Sequence, residues 1–347
     1  MARTALLFPG QGAQYVGMGR DVAEAFPEAR ALYERADAVL GFGLSAICFD
    51  GPEDRLTATD ISQPAILVTS LAVLAALRTT GAGKALKVDV AAGLSLGEYT
   101  ALAAARAIEF DEAVRLTHLR GRYMQEACGT APGGMVSLLG VDSGGAEKIC
   151  QAARQAGRIW PANYNCPGQV VVSGEKAACA KAAEVAESMG AQRAVPLIVA
   201  GAFHSPLMTS AREKLAPALA SLEVRDLEFP VVSNVTGDFY RGSGEVADLL
   251  ARQVDSCVRW QQGVERMIAD GFDTFVEVGP GRVLTGLLKR IDRKLGRSAR
   301  TIGTVEEIRA LSDFKEGTRP VNWAAKCWRG PPGAGMYTVS RPACGAR

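Results

Sequence analysis

Ser95 stands between Gly93 and Gly97 in the stretch GLSLGEYTAL. An apolar run, VDVAAGL, precedes it and an alanine- and leucine-rich segment follows. A G-x-S-x-G sequence at a strand-to-helix join forces a tight backbone turn for which the glycines make room. The serine hydroxyl is then held out at the carboxyl end of a sheet, and the first amides of the helix face any oxyanion that forms there. The bare pattern recurs by chance, and a tight turn using a small residue is its plain alternative; the strand before it and the helix after it favour a nucleophile. A serine hydroxyl needs a base beside it to react at neutral pH, and the chain offers two histidines. His118, in RLTHLRGRYM, lies three residues from Arg115 and four from Arg122. On a helix those cations are its neighbours and disfavour an imidazolium, so it reads as a surface or packing residue. His204, in VAGAFHSPLM, lies in a glycine-containing loop. A lone loop histidine is ambiguous; His204 becomes the candidate base because no other remains.

The elements that must hold these side chains alternate along the chain. TALLF reads as a short buried strand and PGQGAQ as the loop after it. Residues 18–40 alternate apolar and charged at helical spacing, and SQPAILVTSLAVLAALRTTG reads as a long apolar helix. VDVAAGL is the strand that delivers Ser95, and residues 111–126 form another helix. Strands alternating with helices predict an α/β fold with a mainly parallel sheet. Over residues 130–199 the rhythm changes to strand GMVSLLGV, helix GAEKICQAARQAG, strands IWPANYN and GQVVVSG, helix EKAACAKAAEVAESMG and strand QRAVPLIV. That β-α-β-β-α-β order is ferredoxin-like. FPVVSNVTG, a helix through VADLLARQV, and FDTFVEVGPGRVLTGLLKRI then complete the larger unit. The expected organisation is a large α/β domain, residues 1–129 and 200–311, interrupted by an α+β subdomain, residues 130–199, with a ligand cleft between them. Residues 312–347 carry no period and read as a disordered tail, with a partner-binding extension as the alternative.

Bulk properties narrow the field. The chain has 347 residues, 48% hydrophobic and 22% charged, with a formal net charge of +2. No overall basicity suggests nucleic acid as a partner. Six Lys/Arg and two acids fall in residues 312–347, leaving a body of 33 basic and 35 acidic residues. Eight cysteines are scattered singly without a C-x-x-C pair. With so few histidines beside them, they argue for reduced thiols in a cytoplasm rather than for a disulfide scaffold or a metal site. The N-terminal apolar run is too short for a signal peptide, and no apolar stretch is expected to reach the roughly 20 residues of a membrane span.

FPGQGAQYVGMG, GLSLGEYTAL, LRGRYMQEA, ANYNCPGQVVVSG, GAFHSPLM and FVEVGPGRVLTGLLKRI occur in that order. With them the chain resembles the malonyl-CoA:acyl carrier protein transacylases over residues 3–311. The resemblance implies a hydrolase-like α/β domain with an inserted ferredoxin-like subdomain. It also implies an acyltransferase of fatty-acid synthesis that moves a malonyl group from malonyl-CoA to the phosphopantetheine thiol of acyl carrier protein through a malonyl-serine. No cofactor is implied beyond these substrates. Ser95 would be the nucleophile, and His204 the base that later returns its proton to a leaving thiol, oriented by the backbone carbonyl of Gln253. The amides of Gln11 and Leu96 would form the oxyanion hole. Arg120 would hold the malonyl carboxylate through paired, charge-assisted hydrogen bonds that lysine cannot match; its plain alternative is a solvated helix arginine. Leu94 stands where many members have a histidine that is not the base. Phe203 resembles malonyl-selective versions of its motif and would narrow the space beside the α-carbon, with core packing as its plain alternative.

Carrier proteins of this kind are typically acidic. GRVLTGLLKRIDRKLGRSAR sets Arg282, Lys289, Arg290, Arg293, Lys294, Arg297 and Arg300 against one acid, Asp292; it is a docking candidate or a solvated face. Three rivals stay open: a stand-alone acyltransferase serving a polyketide synthase, a serine esterase or thioesterase, and a non-catalytic scaffold. The esterase order of Ser, acid and then a late His fits poorly, because roughly a hundred patterned residues follow His204. The oligomeric state is open, a monomer being one possibility.

Overall fold

TALLF is buried at every position, so a sheet built on it needs cover on both faces. The computed structural model, which describes residues 2–311, supplies it. Its strands are β1 (Thr4–Phe8), β2 (Val90–Gly93), β3 (Gly133–Leu139), β4 (Ile159–Cys166), β5 (Gln169–Glu175), β6 (Arg193–Pro196), β7 (Val231–Val232), β8 (Thr274–Val278) and β9 (Arg300–Ile302). A five-stranded sheet runs in the order β7-β2-β1-β8-β9, with every pairing parallel. Alternate residues of its strands face opposite layers. Leu6, Phe8, Ala91 and Val276 join the main core with the helices Thr59–Thr79 and Phe110–Thr130. Ala5, Leu7, Val90 and Phe275 pack on the other side against Trp260, Met267, Leu284 and Leu288.

The second sheet is antiparallel, in the order β4-β5-β3-β6. The helices Ser143–Ala153 and Lys176–Ala186 cover one face of it, with Ile149, Cys150, Cys179 and Ala182 set against Val136, Leu138, Val170 and Val172. This is the ferredoxin-like arrangement expected from the order of elements. Main-chain hydrogen bonds between the β4 segment and Val258 join the two units: Tyr164 N to Val258 O at 2.9 Å and Val258 N to Ala162 O at 2.8 Å.

Several expectations change. The helix read over residues 18–40 is two, Arg20–Ala25 and Pro27–Leu40. Pro27 cannot continue the first but opens the second, where its missing N–H costs nothing. β6 stops at Pro196 although the apolar run continues; the Leu197 amide still bonds the Met135 oxygen of β3 at 2.9 Å, and Ile198 beyond it is fully exposed. β9 carries no pattern that foretold it. Contrary to the expectation that no stretch would suit a membrane, Thr59–Thr79 is long and apolar enough by composition, and 89% of its most apolar window is buried inside the protein. The tail expected at 312–347 lies outside the described residues.

Candidate active site

β2 ends at Gly93 and the helix Gly97–Ala104 starts four residues on, with Ser95 in the join at φ 54°. That left-handed conformation is costly for a residue with a β-carbon and persists only where its surroundings enforce it. Both glycines are needed for close approach. A Cβ on Gly93 would fall 1.9 Å from the carbonyl of Gly97, and one on Gly97 would fall 2.2 Å from the Phe8 oxygen. Asn234, two residues past β7, holds the turn from the side. Its Oδ1 accepts from the Ser95 amide at 2.6 Å, and its Nδ2 donates to the Gly93 carbonyl at 2.8 Å.

His204, also at positive φ (57°), comes from the loop after β6. Its Nε2 lies 2.8 Å from Ser95 Oγ and its Nδ1 lies 2.9 Å from the Gln253 carbonyl oxygen. A carbonyl only accepts, so Nδ1 carries the hydrogen. Burial, reinforced by the Arg120 guanidinium, pushes the imidazole pKa down to about 3. The ring is therefore neutral near pH 7, and its Nε2 lone pair faces the serine hydroxyl. Gln253 ends the helix Val246–Gln253. The last carbonyls of a helix have no intrahelical donor, which frees this one for the histidine.

Arg120 lies mid-helix in Phe110–Thr130 and is 1% exposed, so it is not the solvated arginine of its plain reading. Its helix approaches Thr59–Thr79 closely at Gly121, where a Cβ would fall 2.3 Å from the Thr59 oxygen. The approach brings Gln63 Oε1 to 2.6 Å from Arg120 Nη1. Nη2 donates to Ser95 Oγ and to Gln253 Oε1, both at 2.9 Å.

β1 and β2 run in register, Phe8 beside Gly93, so the loop carrying Gln11 leaves the sheet next to the serine turn. Among the described residues, neither the Gln11 nor the Leu96 amide has a hydrogen-bond acceptor. Phe203 is 6% exposed and packs in the main core, directly before His204. His118 lies apart: its Nδ1 is 2.9 Å from the Asp60 carbonyl oxygen and its ring 5.7 Å from that of Phe42. Arg115 pairs with Glu112, and Arg122 with Glu126.

Four contributors went unread in the sequence: Gln63, Glu98, Asn234 and Tyr240. Glu98 is fully buried and accepts from Gln253 Nε2 at 2.6 Å, Tyr240 Oη at 2.5 Å and the Asn234 amide at 3.2 Å. Burial pushes its carboxyl pKa up to about 7 against the lowering effect of those bonds. The available signal was a single acid in an otherwise apolar helix. Nothing local marked the other three.

A serine hydroxyl facing a neutral imidazole, with a buried guanidinium at 2.9 Å and neighbouring amides that have no acceptor among the described residues, is equipped to take an acyl group and pass it on. The chain belongs to the acyl transferase domain family, which matches residues 5–320. Over 296 residues it is 41% identical to the malonyl CoA-acyl carrier protein transacylase of Bacillus subtilis (strain 168), covering 85% of this chain and 92% of that protein. A solved acyl-carrier-protein-S-malonyltransferase from Bartonella henselae superposes with a TM-score of 0.85 at 40% identity, over 89% of this chain and 98% of the other. A malonyl-transacylase solved in complex with a type II polyketide-synthase acyl-carrier protein gives 0.85 at 37%, over 90% and 100%.

Proposed function

We propose that this acyltransferase moves malonyl groups from malonyl-CoA to the phosphopantetheine thiol of acyl carrier protein, supplying fatty-acid synthesis in the cytoplasm. The observation that carries the reading is Ser95 Oγ, shared between His204 Nε2 at 2.8 Å and the buried Arg120 at 2.9 Å. Ser95 gives its proton to His204 and attacks the thioester carbon. The tetrahedral oxyanion is met by the Gln11 and Leu96 amides, each worth about 3 kcal/mol in comparable sites. The C–S bond breaks, His204 returns the proton to the CoA sulfur, and CoA leaves as the thiol. A carrier thiol then repeats the sequence in reverse, its proton going to His204 and from there to Ser95 as the malonyl group departs. A thiolate leaves readily, so orienting the imidazole with a carbonyl instead of a carboxylate suffices. Arg120 holds the malonyl carboxylate, trading its contact with Ser95 for a substrate that carries the opposite charge. Phe203 narrows the space beside the α-carbon, where a methyl group is worth only about 1–3 kcal/mol of discrimination.

Intact-protein mass after mixing with malonyl-CoA tests this, with Ser95→Ala as control. A gain of one malonyl group, absent from the control and discharged by pantetheine, is expected. Discharge by water alone would favour a hydrolase, and no adduct would remove malonyl-CoA as the donor. The likeness to a transacylase solved with a polyketide-synthase carrier supports a second setting for the same chemistry. The preferred carrier decides between the two.

A further inference from the structure

Among the described residues, two glutamates are fully buried, Glu98 and Glu277. Glu277 acts structurally, accepting the amides of Leu284 and Thr285 at 2.9 and 2.8 Å and so capping the helix Val283–Ile291. Glu98 instead faces the reacting residues. We propose that Glu98 is a positioning residue for malonyl recognition: it fixes which way the Gln253 side-chain amide faces, and through that amide it holds Arg120 where a substrate carboxylate would meet it. This rests on the reading that Arg120 holds the malonyl carboxylate.

A glutamine amide has two hydrogens at one end and an accepting oxygen at the other. The two hydrogens of Gln253 Nε2 go to the Ser95 carbonyl at 2.8 Å and Glu98 Oε2 at 2.6 Å, both accepting here. Its Oε1 takes Arg120 Nη2 at 2.9 Å, a donor only. The Ser95 carbonyl and the guanidinium cannot change roles, and Glu98 Oε2, which also takes the Asn234 amide at 3.2 Å, only accepts when the carboxyl is ionised, so one orientation satisfies all three. The flipped amide would set oxygen against carboxylate and NH₂ against guanidinium. Of the two groups that hold the NH₂ end, the Ser95 carbonyl is neutral and already accepts the Glu98 amide at 3.1 Å. With Glu98 ionised, its bond is charge-assisted and the stronger. Glu98 is itself anchored by Tyr240 and the Asn234 amide, which follow β7, so it cannot drift with the helix that ends at Gln253.

Gln253 also orients His204, but through its backbone oxygen, which the helix positions independently of the side chain. Loss of Glu98 should therefore disturb Arg120 before it disturbs the base. Acetyl transfer, which needs the serine and the histidine but no carboxylate partner, separates the two effects.

The test is acylation of Ser95 by malonyl-CoA and by acetyl-CoA in the full chain, for the parent protein, Glu98→Gln, Tyr240→Phe and Arg120→Ala. Assayed at about pH 8.5, where a carboxyl raised to about 7 is ionised, Glu98→Gln keeps the shape and removes the charge; kcat/KM for malonyl-CoA should fall about tenfold or more, the scale of one charge-assisted hydrogen bond, with a much smaller change for acetyl-CoA. Tyr240→Phe, which loosens the Glu98 anchor, should shift the ratio the same way by less, and it carries the test if Glu98→Gln does not fold. An equal loss on both donors would make Glu98 a structural residue only, and no change would leave it without a role; either overturns the proposal. A gain for malonyl-CoA would show that Glu98 acts by repelling the substrate, which also overturns it. If Arg120→Ala fails to separate the donors, the reading of Arg120 falls and this proposal with it. If Arg120→Ala separates them and the Glu98 and Tyr240 variants do not, this proposal falls alone.

Discussion

His204 and Ser95 both occupy the left-handed region of backbone space, so each of the two side chains is held where its own conformational preference would not place it. The bonds around them oppose that cost: the Gln253 carbonyl on His204, and Asn234 and Gln253 on Ser95. Burial of His204 has a measurable consequence for stability. Unfolded, the imidazole titrates at its ordinary value; folded, it stays neutral down to about 3. Below the ordinary value the unfolded chain takes up a proton that the folded chain refuses, so this residue makes stability fall as pH drops. The slope is about 1.4 kcal/mol per pH unit between the two pKa values. Comparing urea unfolding of the parent and His204→Gln isolates this contribution from that of Glu98, which runs the other way. Between about pH 7 and about pH 4 the parent should lose more stability than the variant. Parallel pH profiles would mean that His204 is solvated.

At the scale of elements, the serine turn depends on three pieces of backbone passing within reach of one another: the end of β1, the end of β2 and the start of the helix Gly97–Ala104. Gly97→Ala would drive a methyl group into the Phe8 carbonyl at 2.2 Å, an atom that cannot rotate away. The expected cost is at least about 1–3 kcal/mol of unfolding free energy, together with loss of the malonyl-serine adduct. Gly129→Ala is the control. Its Cβ meets nothing within 4 Å near the end of the helix Phe110–Thr130, and a gain of up to about 1 kcal/mol is expected there. If both variants behave alike in urea unfolding, the tight turn is not what Gly97 is for.

On the scale of the whole molecule, the basic stretch near the end of the described chain divides by its contacts. Arg282 pairs with Glu307 at 2.8 Å. Arg290 bonds Gln169 Oε1 at 3.0 Å and the Pro167 and Gly168 carbonyls, tying the helix Val283–Ile291 to the turn between β4 and β5. Lys289, Arg293, Lys294 and Arg297 are exposed and, among the described residues, form no ion pair. They are the part of the stretch able to steer an acidic carrier. Reversing Lys289 and Arg293 to glutamate should raise KM for the carrier, more so at low salt, and leave malonyl-CoA loading unchanged. A change confined to loading would place the effect at the active site.

The serine turn was legible in the sequence because its causes are local. Two glycines, an apolar run before and a helix after lie within a few residues, and short-range sterics do the rest. The β-α-β-β-α-β order was legible through periodicity, and the histidine that lies beside Ser95 through elimination between His118 and His204. Only the tertiary structure decided which groups converge. Ser95 meets Asn234 across 139 residues and Gln253 across 158 because β7 lies beside β2 and the helix Val246–Gln253 ends over the turn. Tyr240 reaches Glu98 across 142 for the same reason. β7 and β9, two and three residues long, are too short to show a period. Sequence pattern records how each segment buries its own apolar face. Which polar groups then share one buried site follows from sheet order, and that is set by the packing of the whole chain.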